Sequence, residues 1–272
     1  MENRVFKTEK LPFIEVRYIS QVVSCDKKHQ HDELTLTAIK TGNINILFNN
    51  KNDLLVSNKI SVVNPNEVHC ATLSNLDSLG CYVLYLDKVW CLNIQKSLFI
   101  ENQEFLPINT SLIQDRVIYN NFISICDELF IDEITTLEKE EKLINFMSDV
   151  FLQFCRIGKL EKIDIKTSKL AYKIQNYLNE NIKNNILLED IADYMKLSVV
   201  HILRIFKKEF GLPIHSYILN KKVHFAKELL SKNIPISEIA QISGFFDQSH
   251  FNKSFKRVFQ LTPKEYQKNI FS

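Results

Sequence analysis

The chain has 272 residues with 34 Lys+Arg and 32 Asp+Glu, a formal net charge of +2. That length suggests two domains and is ample for cores that need no disulfide staple. The near-balance of charge excludes a basic tail or a polyacidic solvating protein, and five Gly with six Pro exclude a collagen-like or low-complexity chain. No run approaches the ~18 apolar residues of a membrane span. Met1-Glu2-Asn3-Arg4 leads into charged residues rather than an apolar signal region. Cys25, Cys70, Cys81, Cys91, Cys126 and Cys155 form no CxxC pair and no zinc or disulfide framework. Reduced thiols in a cytoplasmic protein are the expectation.

In chain order, apolar runs separated by turn signals predict strands at 34–39, 44–48, 54–56, 60–63 and 81–86. Turns are expected at 41–43, 49–53 and 64–66. If the segment His29-Gln30-His31-Asp32-Glu33 is extended, His29, His31 and Glu33 share one face, because side chains alternate along a strand. His69 can join them from a neighbouring strand. These four residues are the candidate effector-pocket residues, at the mouth of a β-barrel where a ligand would enter. Three His and a carboxylate are also a set that binds transition metals. Segments 111–132 and 136–157 read as helices. Their apolar positions include Ile113, Val117, Ile118, Phe122, Ile125 and Leu129, then Leu143, Phe146, Met147, Val150, Phe151 and Phe154. They can pack on the barrel and also form a dimer face.

The chain changes character at 158–167, the expected linker between a domain over 1–157 and another over 168–272. Residues 1–167 hold 18 Lys+Arg and 23 Asp+Glu (18 − 23 = −5), and residues 168–272 hold 16 and 9 (16 − 9 = +7). A basic module after an acidic one is the electrostatic footprint of a nucleic-acid binder with a separate partner domain.

The basic half contains an internal repeat. Phe206-Lys207-Lys208-Glu209-Phe210-Gly211-Leu212 and Phe255-Lys256-Arg257-Val258-Phe259-Gln260-Leu261 are offset by 49 residues (255 − 206), and Tyr217 and Tyr266 follow at the same offset. Each copy reads as helix, tight turn, helix. In the first, Leu188, Ile191, Ala192 and Met195 form an apolar face, Ser198 caps a helix over 199–210, and Gly211 ends it in the left-handed conformation. In the second, Ile236, Ile239, Ala240 and Ser243 lie on the first helix and Gly244 supplies the positive φ of the turn. Asp247 then caps a helix over 248–259, and Pro263 opens a closing helix. An amphipathic helix over 216–231 separates the copies.

With Ile202, Phe206, Phe251 and Phe255 buried, the candidate DNA-binding residues of the first copy are Val200, Leu203, Arg204 and Lys207. Those of the second are Gln248, Ser249, His250, Asn252, Lys253 and Lys256. Polar side chains early in a recognition helix can meet base edges, and later lysines meet phosphates.

From Ser168 to about Lys268 the chain closely resembles the DNA-binding domain of the AraC/XylS family of transcription regulators. The resemblance is carried by Asp190-Ile191-Ala192, Ser198, Arg204 through Gly211, Tyr217-Ile218 and Ala226-Lys227-Glu228-Leu229-Leu230. It continues through Ile236 to Ala240, Gly244-Phe245, Asp247-Gln248-Ser249-His250-Phe251, Phe255-Lys256-Arg257 and Thr262-Pro263-Lys264-Glu265-Tyr266. It implies seven helices, two helix-turn-helix units and promoter DNA bound beside RNA polymerase. Departures are Leu187 where the family often has a polar cap, Gln260 in place of a Gly, and Lys253 where Arg is common. The histidine segment, Gly42 and Asn64-Pro65-Asn66-Glu67-Val68-His69 resemble the family's cupin-like sensor domain. The expected fold is therefore α+β: a cupin-like β-barrel with two following helices, then an all-α domain with two helix-turn-helix units. The expected function is that of a DNA-binding regulator, an activator more often than not in this family. It would form a homodimer, answer to a small-molecule effector in the barrel, and have no catalytic residues. No metal and no cofactor is expected, because sensors of this family use organic effectors. Two alternatives stay open: a metal-dependent cupin enzyme using His29, His31 and His69, and a thiol sensor using Cys25, Cys70, Cys81 or Cys91.

Overall fold

Residues 3–21, 25–48, 51–73, 79–99, 104–155, 167–182, 184, 186–232, 234–259 and 261–271 are described by the structure, a computed structural model. They divide into two compact units, 1–162 and 163–272. Of the expected linker 158–167, all but Thr167 lies outside the described residues.

The N-terminal unit carries β1 (Arg4–Thr8), β2 (Leu11–Gln21), β3 (Cys25–His29), β4 (Leu34–Thr41), β5 (Asn43–Phe48), β6 (Lys51–Val56), β7 (Ile60–Val63), β8 (His69–Leu73) and β9 (Leu79–Leu86). After them come α1 (Lys88–Leu98), β10 (Leu112–Ile113), α2 (Arg116–Leu129) and α3 (Thr136–Phe154). The strands form two antiparallel sheets, ordered β1-β2-β9-β4-β7-β10 and β3-β8-β5-β6. Between β4 and β5 the chain crosses from one sheet to the other at Gly42, whose φ is +86°. Ile39, Ile44, Ile46, Phe48, Leu55, Val63 and Cys81 come from both sheets and pack together, so the sheets face each other as two walls of a barrel-like sandwich. Strand β4 is buried at nearly every position because β6 and α2 both pack against it.

The expected helix over 111–132 starts late. Leu112 and Ile113 pair with Ser61 and Ile60 of β7, and Asp115 then caps α2, accepting from the backbone N–H of Val117 (2.8 Å) and Ile118 (3.0 Å). Val117 consequently points outward and is 68% exposed. Of the turn expected at 49–53, Asn49 and Asn50 lie outside the described residues, and the rest belongs to β6.

The C-terminal unit has seven helices among its described residues, the number that the family resemblance implies. They are α4 (Thr167–Glu180), α5 (Leu188–Met195), α6 (Val199–Phe210), α7 (Ile214–Leu230), α8 (Ile236–Ile242), α9 (Gln248–Phe259) and α10 (Pro263–Phe271). Helix α6 packs on α4, α5 and α7, while α9 packs on α7, α8 and α10. Leu219, Val223, Ala226, Leu229 and Leu230 of α7 share a core with Ile239, Ala240, Phe245, Phe251 and Phe255. Gln260 lies outside the described residues.

Candidate DNA-reading surface and histidine cluster

Local capping sets each reading helix. Helix α5 starts after Leu187, which offers no side-chain cap; Asp190 compensates, its Oδ2 accepting from the Leu187 backbone N–H at 3.3 Å. Lys196 ends α5 in the left-handed conformation (φ +54°), a turn position with no glycine to announce it. Two residues later Ser198 Oγ accepts from the His201 backbone N–H (3.3 Å) and starts α6. Gly211, φ +69°, closes α6 with its N–H on the Lys207 carbonyl at 2.9 Å.

In the second copy Gly244 turns the chain at φ +72°. Its carbonyl accepts from Lys222 Nζ of α7 at 2.7 Å, and burial holds that ammonium below the usual lysine range. Asp247 Oδ1 accepts from the His250 backbone N–H at 2.6 Å and starts α9. Buried Phe245 lies 5.0 Å from the Phe251 ring and 5.4 Å, edge to face, from His250.

Two of the expected reading residues are not on the surface. Val200 (4% exposed) and Leu203 (2%) are core residues. Helix α6 is covered by three neighbours, so its buried stripe is wider than the Ile202–Phe206 line alone and takes in both. Arg204 is half-buried and Lys207 exposed. On α9, Gln248, Ser249, Lys253 and Lys256 are exposed, and His250 and Asn252 are half-buried.

A residue missing from the expected set is His201, half-buried on the first turn of α6. The 49-residue offset places it opposite His250 (250 − 201), and places Arg204 opposite Lys253, Lys207 opposite Lys256 and Lys208 opposite Arg257. Both helices therefore present one stripe: an imidazole on the first turn, then three cations. The offset itself was the signal that could have found His201. The helices differ at Val199, Val200 and Leu203, where α9 has Gln248, Ser249 and Asn252. Helix α9 thus offers a wider polar face for base edges, and α6 a narrow cationic one.

In the N-terminal unit the expected histidine set does not sit on one strand. Strand β3 ends at His29, and Asp32 and Glu33 lie in a bend before β4. The rings still meet. His29 pairs directly with His69 across β3 and β8. Ring centroids lie 4.3 Å apart for His29 and His69, 5.0 Å for His31 and His69, and 6.1 Å for His29 and His31. Ligand nitrogens of all three lie within 4.8 Å of one another. Glu33 stays at the edge, its carboxylate 3.8 Å from His31 Nδ1. His69 is buried (8% exposed). Burial, with His29 and His31 adding to it, holds its imidazole below the usual histidine range against a backbone hydrogen bond to Glu67.

The cysteines whose side chains are described give the thiol alternative no support. Cys70, Cys81, Cys91, Cys126 and Cys155 are buried. Burial pushes the thiols of Cys81 and Cys155 up to about 12 and that of Cys91 well above its ordinary value. A redox sensor needs an exposed thiol of lowered pKa. The side chain of Cys25 lies outside the described residues.

Comparison with known proteins adds to this geometry. Residues 191–269 match the family model of a helix-turn-helix domain, and residues 14–147 that of an AraC-like ligand binding domain. The probable transcriptional regulator LumQ of Photobacterium leiognathi is 30% identical over 95 residues, 35% of this chain and 38% of that protein. The multiple antibiotic resistance protein MarA of Salmonella typhimurium is 30% identical over 96 residues, 35% of this chain and 76% of MarA. The transcriptional activator RhaR of Mannheimia succiniciproducens is 22% identical over 243 residues, 88% of this chain and 86% of RhaR. The match covers only 27% to 41% of the length of LumQ and several further curated relatives.

Proposed function

We propose that this chain, which belongs to the AraC/XylS family of transcription regulators, binds duplex promoter DNA sequence-specifically and answers to a small molecule held by its N-terminal unit. One observation carries the DNA reading. Helices α6 and α9 each follow a capped tight turn and expose the same stripe: His201, Arg204, Lys207 and Lys208 on one, His250, Lys253, Lys256 and Arg257 on the other. Gln248, Ser249, Asn252 and Lys253 meet base edges, and Lys207 and Lys256 meet phosphates. The effector docks at the rim marked by His29, His31, Glu33 and His69. It regulates DNA binding only so far as its affinity differs between two states of the chain.

The same proposal makes the chain a regulator without catalytic activity, working in the cytoplasm as a homodimer. It activates by contacting RNA polymerase, as the name of its relative RhaR, an activator, suggests. The decisive test measures the affinity of purified protein for the DNA upstream of its own coding region and for random duplex at moderate salt. Preference for the upstream duplex by a factor of roughly 10³ or more is expected. Equal affinities would rule out sequence-specific regulation. Transcription from that promoter in vitro, with and without the protein, separates activation from repression.

A further inference from the structure

The histidine cluster has a feature that organic-effector binding does not call for: three imidazoles converge with their ligand atoms within 4.8 Å of one another, the Glu33 carboxylate standing at their edge 3.8 Å from His31 Nδ1. The imidazoles come from two places in the chain, the segment that closes β3 and the start of β8. His29 ends β3, His31 sits in the turn after it, and His69 begins β8. The framework holding them is tied independently of the rings. His29 and His69 are paired residues of the ladder, and the Asn66 backbone N–H donates to the His31 carbonyl at 2.8 Å.

Backbone carbonyls stand beside Nδ1 of two of the three rings. His69 Nδ1 donates to the Glu67 carbonyl at 2.9 Å, and His31 Nδ1 to the Glu33 carbonyl at 3.1 Å. A backbone carbonyl only accepts, so where these bonds form each Nδ1 is the donor and Nε2 is the nitrogen of the ring left to meet a metal. Carbonyl-oriented imidazoles of this kind are the usual outer support of a histidine metal ligand. Thr35 Oγ1, 3.4 Å from His31 Nε2, is a hydroxyl that can turn its proton away when that nitrogen takes a metal.

From this convergence we propose that His29, His31 and His69 bind one divalent transition-metal ion of the zinc–cobalt–nickel class. Neutral imidazole suits these ions, and three protein ligands leave a further coordination position for water or an anionic ligand. Tetrahedral ligands about 2.1 Å from a metal stand about 3.4 Å apart. One ring nitrogen from each residue lies within 4.8 Å of the others, so binding has to close the set by at most about 1.4 Å. Exposed His29 has the most freedom to move. The site departs from the metal-free sensor implied by the family resemblance. It also goes beyond the DNA-binding proposal, because metal can bind whether or not the chain recognises a promoter.

The test titrates Co²⁺, then competing Zn²⁺, into full-length protein stripped of metal, reading visible absorption and thermal melting. Expected are one Co²⁺ per chain with ligand-field bands, displacement by Zn²⁺, and a raised melting temperature. His31→Ala and His69→Ala should weaken binding by at least about 100-fold, more than loss of an outer-shell partner does. His29→Ala, at an exposed strand end, should do the same without disturbing the fold, and so guards against misfolding of the buried His69 variant. His224→Ala, exposed on α7 in the other unit, should bind as the parent does. Absence of saturable Co²⁺ binding up to about 1 mM would overturn the proposal. So would binding that survives His29→Ala and His31→Ala unchanged. DNA affinity of the metal-free protein, measured alongside, reports separately on the promoter-binding proposal.

Discussion

Lys253 and Lys207 are both exposed cations on reading helices, yet they sit at different depths along them. Lys253 is the sixth residue of α9, where the proposed function has it meet base edges, and Lys207 is on the last turn of α6. Lys253→Ala should therefore change the sequence preference found by binding-site selection. Lys207→Ala should weaken binding evenly across sequences and reduce the salt slope by about 1. An even loss in both variants would contradict the division of roles. Leu203 behaves differently. Because it is buried, Leu203→Ala should lower stability by about 2–5 kcal/mol in urea denaturation, a core effect and not a specificity effect. Sequence pattern separated the buried from the exposed face of α9, since its outward residues are polar and its inward ones Phe. On α6 the pattern misled, because an apolar residue beside a reading position looks the same whether it faces thymine methyls or a third packed helix.

At the scale of elements, legibility followed the caps. Helices α6 and α9 have the expected bounds to the residue, fixed by Ser198 and Gly211 at the ends of one and Asp247 at the start of the other. Gly211→Ala tests this directly. A Cβ there would meet no atom within 4 Å, so only the left-handed φ opposes it. A loss of about 1 kcal/mol is expected, read as a lowered urea midpoint with unchanged slope. A loss several times larger would mean that packing, not conformation, reserves the position. Two other elements were less legible for reasons of composition, although Asp87 caps α1, its Oδ1 accepting from the Trp90 N–H at 2.8 Å. Strand β3, Cys-Asp-Lys-Lys-His, is too polar to show alternation. Helix α1 hides its period because Gln95, on its buried face, replaces an apolar residue. Gln95 substitutes for a peptide group instead, its Nε2 donating to the Leu106 carbonyl and its Oε1 accepting from the Leu106 N–H, both at 2.8 Å. The histidine cluster was legible in its members and not in its construction, since a turn rather than a strand delivers His31.

For the whole molecule, the net charge of +2 is the sum of an acidic and a basic portion, and the division falls near the boundary between the two units. The basic portion concentrates attraction for phosphate where the reading helices are, while the acidic portion adds none. The homodimer proposed above would draw on the other unit. Helices α2 and α3 pack together, with α2 also against β4 and β9, and α2 leaves Val117 exposed. Sedimentation equilibrium should give twice 31.9 kDa for the parent. Val117→Asp should shift it toward the monomer, and a parent that stays monomeric at all concentrations would exclude the dimer.

The 49-residue repeat gives a single chain two readers in tandem, and they are not copies in chemistry: α9 is broad and polar, α6 narrow and cationic. A chain built this way has a front and a back on the double helix. On the proposed reading its preferred site is not a palindrome within one protomer, because the half under α6 and the half under α9 differ. Turning such a site around, base for base, would keep the affinity and reverse which reader faces the start of transcription. On that reading, direction along the genome follows from the order of the two helices in the chain.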